Sequence, residues 1–200
     1  MGAKGEGRKL PPSGWVDLRV VIPDAVFAIG YATKDNFTGA PLPGYGDPGA
    51  WLRDDAADAL RLASDALAKD GFRLVVFDAY RPRRASVAMV EWAQRTRRTD
   101  LLRDGFISAR SQHNRGVAVD VGLADRDGKL LDMGTPWDFF GPAAHVDAVK
   151  GEAGDRRKAL AKAMRGAGFR PLAIEWWHFI HGKDNARAEL DVPYGLRERE

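Results

Sequence analysis

The sequence contains no cysteine in its 200 residues. This absence excludes disulfide bonds and thiolate metal ligands, so any bound metal must be held by nitrogen and oxygen atoms. It is also compatible with a reducing compartment. We therefore expect a cytoplasmic protein that folds without covalent cross-links.

Long apolar runs are also missing. Stretches such as Val20–Ile22 and Leu74–Phe77 are much shorter than the roughly 20 residues that cross a bilayer. Residues 1–14 are basic and rich in glycine, but no apolar segment follows them as it would in a secretory signal. We expect no membrane partner, and we expect residues 1–14 to form a flexible N-terminal segment.

The chain has no strong excess of one charge, because 31 Lys and Arg residues stand against 28 Asp and Glu residues. Arginines cluster at 81–84 and 95–98, but such clusters usually cover a solvated face, so no nucleic-acid partner is expected. With 44% hydrophobic residues and no internal repeat or linker, the composition is typical of one soluble domain, here over residues 15–200.

Hydrophobic periodicity predicts the main elements. Helices are expected at residues 52–69, from Pro82 to about Trp92, and at residues 155–167. Strands are expected at residues 15–22, 74–77, 117–122 and 173–180. The stretches 31–48 and 133–140 are expected to be ordered loops, the second with aromatic anchors.

The segment 111–120, SQHNRGVAVD, places His113 and Asp120 seven positions apart across Gly116. Valines at alternate positions from 117 to 121 predict a strand whose valines face the core and whose Asp120 faces the opposite side. Taken alone, a histidine or aspartate in this setting is more often a hydrogen-bonded structural residue than a ligand.

The later segment EWWHF supplies Glu175 and His178. Two imidazoles and one carboxylate form the three-ligand set of a catalytic zinc site, which leaves a fourth position for water. Glu175 is then the candidate general base. In a regular strand Glu175 and His178 would face opposite sides, so the strand is predicted to bulge or end near Trp176.

The segment DAYRP brings Arg81 to a predicted junction between a strand and a helix. Considered alone, Arg81 would be an ordinary ion-pair partner of Asp78 or another acid. Beside a metal site, the same cation could stabilise the oxyanion of a tetrahedral intermediate.

Four motifs in chain order, YATKDNFTG, DAYRP, SQHNRGVAVD and EWWHF, resemble those of the zinc-dependent D-alanyl-D-alanine dipeptidases of the vancomycin-resistance type. The resemblance extends from about Tyr31 to Phe179. It implies a single α+β domain with a central, mostly antiparallel sheet flanked by helices. That fold is shared with zinc D,D-carboxypeptidases and with the signalling domain of Hedgehog proteins.

The resemblance also implies roles for individual residues. One Zn²⁺ per chain would be held by His113, Asp120 and His178, with Glu175 as general base and Arg81 as transition-state stabiliser. The residues that match the family's substrate pocket are Ser111, Asp138, Tyr31 and Tyr45. A buried Asp138 would select a free α-amine.

The leading hypothesis is hydrolysis of D-alanyl-D-alanine, for vancomycin resistance or for recycling of peptidoglycan-derived dipeptide. A D,D-carboxypeptidase acting on longer cell-wall peptides, or a broader dipeptidase, is the nearest alternative. A non-catalytic zinc-binding module is a third. The expected partner is a small dipeptide. The sequence leaves undecided whether the protein forms a homodimer.

Overall fold

The computed structural model describes residues 10–46, 49–182 and 187–195. Most of the predicted flexible segment, residues 1–9, lies outside the described residues. The strands are β1 (Trp15–Asp17), β2 (Val26–Phe27), β3 (Trp51–Arg53), β4 (Arg73–Asp78), β5 (Ala118–Ala124), β6 (Phe169–Leu172) and β7 (Glu175–His181). The α-helices are α1 (Leu18–Val21), α2 (Asp54–Lys69), α3 (Arg83–Arg95), α4 (Asp100–Arg103) and α5 (Gly151–Gly166).

A five-stranded sheet in the order β2-β4-β5-β7-β6 forms the centre of the domain. The β2–β4 pair is parallel and the other three pairs are antiparallel. β1 and β3 form a separate antiparallel pair. This arrangement confirms the predicted α+β domain with a mostly antiparallel sheet.

The two long helices cover one face of this sheet. α2 contacts α5 and β4, while α5 contacts β5 and β6. The core between them includes Leu60 of α2, Leu160 of α5 and Val119 of β5, all fully buried. Because side chains alternate along a strand, Asp120 points to the opposite face, as predicted.

The sheet register aligns three polar residues across three strands. Asp78 of β4 pairs with Asp120 of β5, and Asp120 pairs with His178 of β7. These residues are distant in sequence, and only strand pairing brings them side by side.

The last predicted strand, residues 173–180, corresponds to β7, which forms a hairpin with β6. The edge strand β6 was missed because it contains Pro171, a residue that edge strands tolerate and that central strands exclude. The β6–β7 pairing jumps from Pro171–Phe179 to Leu172–Glu175. This interruption confirms the irregularity that was predicted near Trp176.

The first predicted strand, residues 15–22, is wrong beyond Asp17. The side chain of Asp17 accepts a hydrogen bond of 3.0 Å from the backbone N–H of Arg19 and caps the one-turn helix α1.

Helix α5 begins at Gly151, four residues before the predicted start. The prediction began too late because glycine has a low helix propensity. A Cβ at Gly154 would lie 2.5 Å from the carbonyl oxygen of Val149, so this glycine is required by close packing.

Among the described residues, no helix combines the length and the apolar character needed to cross a membrane.

Candidate metal centre

Three side chains with metal-ligand chemistry meet at the middle of the sheet. His113 lies on the 3₁₀ turn Gln112–Arg115, which leads through Gly116 into β5. Asp120 lies in β5, directly opposite His178 of β7. The register of the sheet therefore brings together two histidines that are 65 positions apart.

The donor atoms of these side chains form a compact triangle. Nε2 of His113 lies 3.1 Å from Nδ1 of His178. Oδ1 of Asp120 lies 2.9 Å from Nδ1 of His178 and 3.2 Å from Nε2 of His113. All three residues are buried. Among the His, Asp and Glu residues that the structure describes, these three have donor atoms close enough together to hold a metal ion.

The triangle suits zinc in the number, type and spacing of its donors. Metal–ligand bonds of about 2.0–2.2 Å in a tetrahedral site place neighbouring ligand atoms about 3.3 Å apart, close to the separations found here. Although burial opposes ionisation, the imidazoles of His113 and His178 hold the pKa of Asp120 well below its usual range. The carboxylate is therefore charged and available to a cation, and a fourth coordination position is left open.

The orientation of His113 is set on the far side of its ring. Nδ1 lies 2.6 Å from the carbonyl oxygen of Ala79, so Nδ1 donates there and Nε2 presents its lone pair to the centre. The turn that carries His113 is capped, because Ser111 Oγ accepts from the backbone N–H of His113 and Asn114 Oδ1 accepts from that of Ser111. Gly116 ends the turn with a left-handed φ of 66°.

Glu175 reaches the same centre from the interrupted part of the hairpin. Its Oε2 lies 3.8 Å from Nδ1 of His178, and the residue is 7% exposed. Burial raises the pKa of Glu175 to about 8, and the negative charge of Asp120 adds to this rise. A carboxylate with such a high proton affinity is suited to act as a general base near neutral pH.

Arg81 is a buried cation held by Asp78. Its Nε and one terminal nitrogen lie 3.0 and 2.9 Å from Oδ2 of Asp78, and the same terminal nitrogen lies 3.8 Å from Oδ2 of Asp120. Although burial opposes its charge, Asp78 holds the pKa of Arg81 above its ordinary value. Arg81 therefore forms the ordinary ion pair with Asp78 and also lies beside the metal centre.

Tyr45 lies behind this ion pair. It is fully buried, and its hydroxyl donates a hydrogen bond of 2.6 Å to Oδ1 of Asp78. Tyr45 is not among the described residues that line the cavity beside the metal centre. The substrate contact of Tyr45 stays a prediction. In the structure Tyr45 supports Asp78, and Asp78 in turn holds Arg81.

The other predicted substrate-binding residues do line this cavity, which has a volume of about 200 Å³. The Tyr31 hydroxyl donates a hydrogen bond of 2.8 Å to Oδ2 of Asp138. Burial, and then the charge of Asp120, raise the pKa of Asp138 well above its usual range, although the Tyr31 hydroxyl and Arg81 oppose the rise. Ser111 also lines the cavity and directly precedes the turn that carries His113.

Sequence reasoning missed two residues that contact the centre. Asp78 was treated only as an ion-pair partner, and its position at the end of a buried strand was the available signal. Trp137 was treated only as an aromatic anchor, yet its Nε1 donates to Oδ2 of Asp120 at 3.3 Å. No local pattern predicts this contact, because Trp137 and Asp120 belong to different segments.

Comparisons with known proteins agree with the geometry. A family profile described as "D-ala-D-ala dipeptidase" matches residues 12–194. A D-alanyl-D-alanine dipeptidase of Escherichia coli strain K12 is 35% identical over 166 residues, which cover 82% of this chain and 82% of the relative. A protein of the same name from Enterococcus faecium is 31% identical, with coverage of 75% and 82%. Another from Streptomyces coelicolor is 36% identical, with coverage of 74% and 82%.

Among solved structures, the chain is similar to VanYB in complex with D-alanine-D-alanine. The TM-score is 0.41, the sequence identity is 14%, and the match covers 68% of this chain and 74% of that one. Similarity at this level transfers no detail of the site.

Proposed function

This chain belongs to the D-ala-D-ala dipeptidase family, and on that premise we propose that it hydrolyses free D-alanyl-D-alanine to two molecules of D-alanine. The observation that carries the proposal is that four kinds of group line one cavity of about 200 Å³. They are the triangle of metal ligands, the buried carboxylate of Glu175, the buried cation of Arg81 and the carboxylate of Asp138, which would bind an amine.

His113, Asp120 and His178 would hold the zinc ion. When bound there, zinc supplies a Lewis acid that polarises the peptide carbonyl and lowers the pKa of a water molecule. Asp120 and the two neutral imidazoles leave a net positive charge at the centre, which favours this chemistry.

Glu175 serves as the base. Its carboxylate takes a proton from the attacking water as oxygen adds to the peptide carbonyl carbon. The same proton then passes to the nitrogen of the leaving D-alanine as the C–N bond breaks. Burial raises the pKa of Glu175 above its ordinary value, so its carboxylate accepts the proton from water more readily than a solvent-exposed carboxylate would.

Arg81 stabilises the negative charge that develops on the carbonyl oxygen. Its guanidinium is fixed by Asp78 before substrate arrives, so little reorganisation is needed during the reaction. Loss of such a preorganised donor typically lowers kcat by about 10²–10³-fold.

Asp138 binds the substrate's ammonium group. Its carboxyl group is buried, and its described hydrogen-bond partner is the Tyr31 hydroxyl. Burial disfavours the ionised form, which an incoming ammonium would stabilise by pairing with it. This arrangement favours a free dipeptide over the longer, N-blocked chains that a D,D-carboxypeptidase trims. Ser111, which lines the same cavity, would hydrogen-bond the other end of the dipeptide.

D-alanine release by the zinc-loaded protein tests the proposal. The substrates are D-alanyl-D-alanine, its N-acetyl derivative and L-alanyl-L-alanine, with Glu175→Ala as the inactive reference. We expect release from the free D,D-dipeptide alone. Cleavage of the acetylated dipeptide at a similar rate would assign the chain to carboxypeptidase chemistry, and absence of cleavage with zinc bound would favour a binding module.

A further inference from the structure

We propose that Trp137 is a positioning residue of the metal centre, whose indole N–H holds one oxygen of Asp120 so that the carboxylate presents the other oxygen to zinc. The inference rests on the zinc site that the proposed function uses, but not on the identity of the substrate.

The two oxygens of Asp120 have separate partners. Oδ1 faces the histidines, at 2.9 Å from Nδ1 of His178 and 3.2 Å from Nε2 of His113. Oδ2 points away from them and accepts a hydrogen bond of 3.3 Å from Nε1 of Trp137. A carboxylate divided in this way is set to bind a metal through one oxygen.

Arg81 is a weaker candidate for this task. Its terminal nitrogen is 3.8 Å from Oδ2 of Asp120, beyond hydrogen-bonding distance, and its short contacts are made to Asp78. The indole is therefore the closer donor, and it is neutral. It can orient the carboxylate without reducing the negative charge that attracts the cation.

The indole ring is fixed from several sides. It stacks on Phe77 with a centroid distance of 5.5 Å and an interplanar angle of 10°, and it lies 4.7 Å from the ring of Tyr31. Gly30 leaves room for it, since a Cβ there would lie 2.7 Å from the ring. A donor held in this way costs little conformational entropy when it binds Asp120.

The residue that follows Trp137 in the chain, Asp138, also has a role in the proposed site. Asp138 has a φ of 59°, an unusual conformation for a residue other than glycine. This turn sends Trp137 to the metal ligand and Asp138 to the cavity. The loop is tied down by buried Arg157, which donates to the carbonyl oxygens of Met133 at 2.6 Å and of His145 at 2.7 Å.

The test is the zinc dissociation constant of Trp137→Phe, measured by competition with a chromophoric chelator in the absence of substrate. Phenylalanine keeps an aromatic ring but removes the N–H. Trp176→Phe is the matched control, because its Nε1 donates to Thr135 at 2.9 Å and not to a metal ligand. We expect the constant to rise roughly 10- to 100-fold in Trp137→Phe and to stay within about threefold in the control.

Cobalt substitution adds a readout that general loosening of the fold would not produce. If Oδ2 is released, Asp120 can bind through both oxygens, and the visible absorption of cobalt(II) should weaken as the coordination number rises. An unchanged zinc constant with an unchanged cobalt spectrum overturns the proposal. An equal loss of affinity in both variants overturns it as well, because the effect would then not be specific to Asp120.

If Trp137→Phe does not fold, 3-benzothienyl-L-alanine at position 137 decides the question, because it keeps the shape of the ring system and removes the donor. Loss of zinc affinity in this protein supports the proposal, and parental affinity overturns it. Because no dipeptide is present, this result is independent of whether the chain hydrolyses D-alanyl-D-alanine.

Discussion

The hydroxyl of Tyr31 donates a hydrogen bond of 2.8 Å to Oδ2 of Asp138, across a separation of 107 residues. Both residues line the cavity beside the metal centre. Burial and the nearby charge of Asp120 raise the pKa of Asp138 well above its usual range. Ionising Asp138 in the free protein therefore costs stability, and an ammonium group in the cavity would offset that cost.

Asp138→Asn is expected to stabilise the metal-free protein at pH 7 while it weakens binding of the dipeptide. Because the pKa of Asp138 is higher in the folded state, its stabilising contribution is complete below the unfolded pKa of about 3.9 and is lost as the pH rises. The gain in Tm from Asp138→Asn should thus be absent near pH 4 and grow toward pH 7. Asparagine tolerates the left-handed backbone at this position.

Thermal unfolding from pH 4 to pH 8 in the presence of a chelator measures this difference. A gain in Tm that does not change with pH would contradict the explanation. In kinetics, kcat/KM for the free dipeptide should fall roughly 10- to 100-fold, the value of a hydrogen bond to a charged group.

Glu175→Gln should abolish most activity and leave zinc bound. The amide cannot accept the proton, so we expect kcat to fall by about 10²–10⁴-fold. Zinc content should remain at one per chain, because Glu175 is not part of the ligand triangle and lies 3.8 Å from His178. Glu152→Gln, in the exposed first turn of α5, is the control. Loss of zinc from Glu175→Gln would mean that Glu175 is a ligand.

Tyr31→Phe and Tyr45→Phe should separate binding from support. Removing the Tyr31 hydroxyl takes a donor from Asp138, so KM for the dipeptide should rise roughly tenfold. Removing the Tyr45 hydroxyl takes a donor from buried Asp78, so the free energy of unfolding should fall by about 1.5–3 kcal/mol with KM little changed. An increase in KM without loss of stability in Tyr45→Phe would instead indicate a direct substrate contact.

Gly116→Ala should destabilise the fold and loosen the metal centre. Gly116 has a φ of 66°, and a Cβ there would overlap the ring of Trp15. The left-handed backbone costs alanine about 1–2 kcal/mol, and overpacking adds about 1–3 kcal/mol. Gly166→Ala is the control, since it is helical and nothing lies within 4 Å of its added Cβ. Urea unfolding measures both, and equal stability of the two variants would contradict the prediction.

The sequence alone determined the chemistry of the centre and its local geometry. Without cysteine, the donors had to be nitrogen and oxygen, and the spacing of His113 and Asp120 around Gly116 identified the first pair. Alternation along β5 placed Asp120 opposite the valines. The three-residue interval between Glu175 and His178 required an irregular strand, and the hairpin has one. These conclusions could be drawn because periodicity and side-chain direction are properties of one segment.

The tertiary structure decided which partner each of these groups meets. The resemblance matches Tyr45 to a position in the family's pocket, and packing turns its hydroxyl to Asp78. Trp137 reaches Asp120 from a loop 17 positions along the chain, through space left by Gly30. Such contacts depend on strand register and on how loops cross the sheet. Those features arise from the packing of the whole domain, and no short segment encodes them.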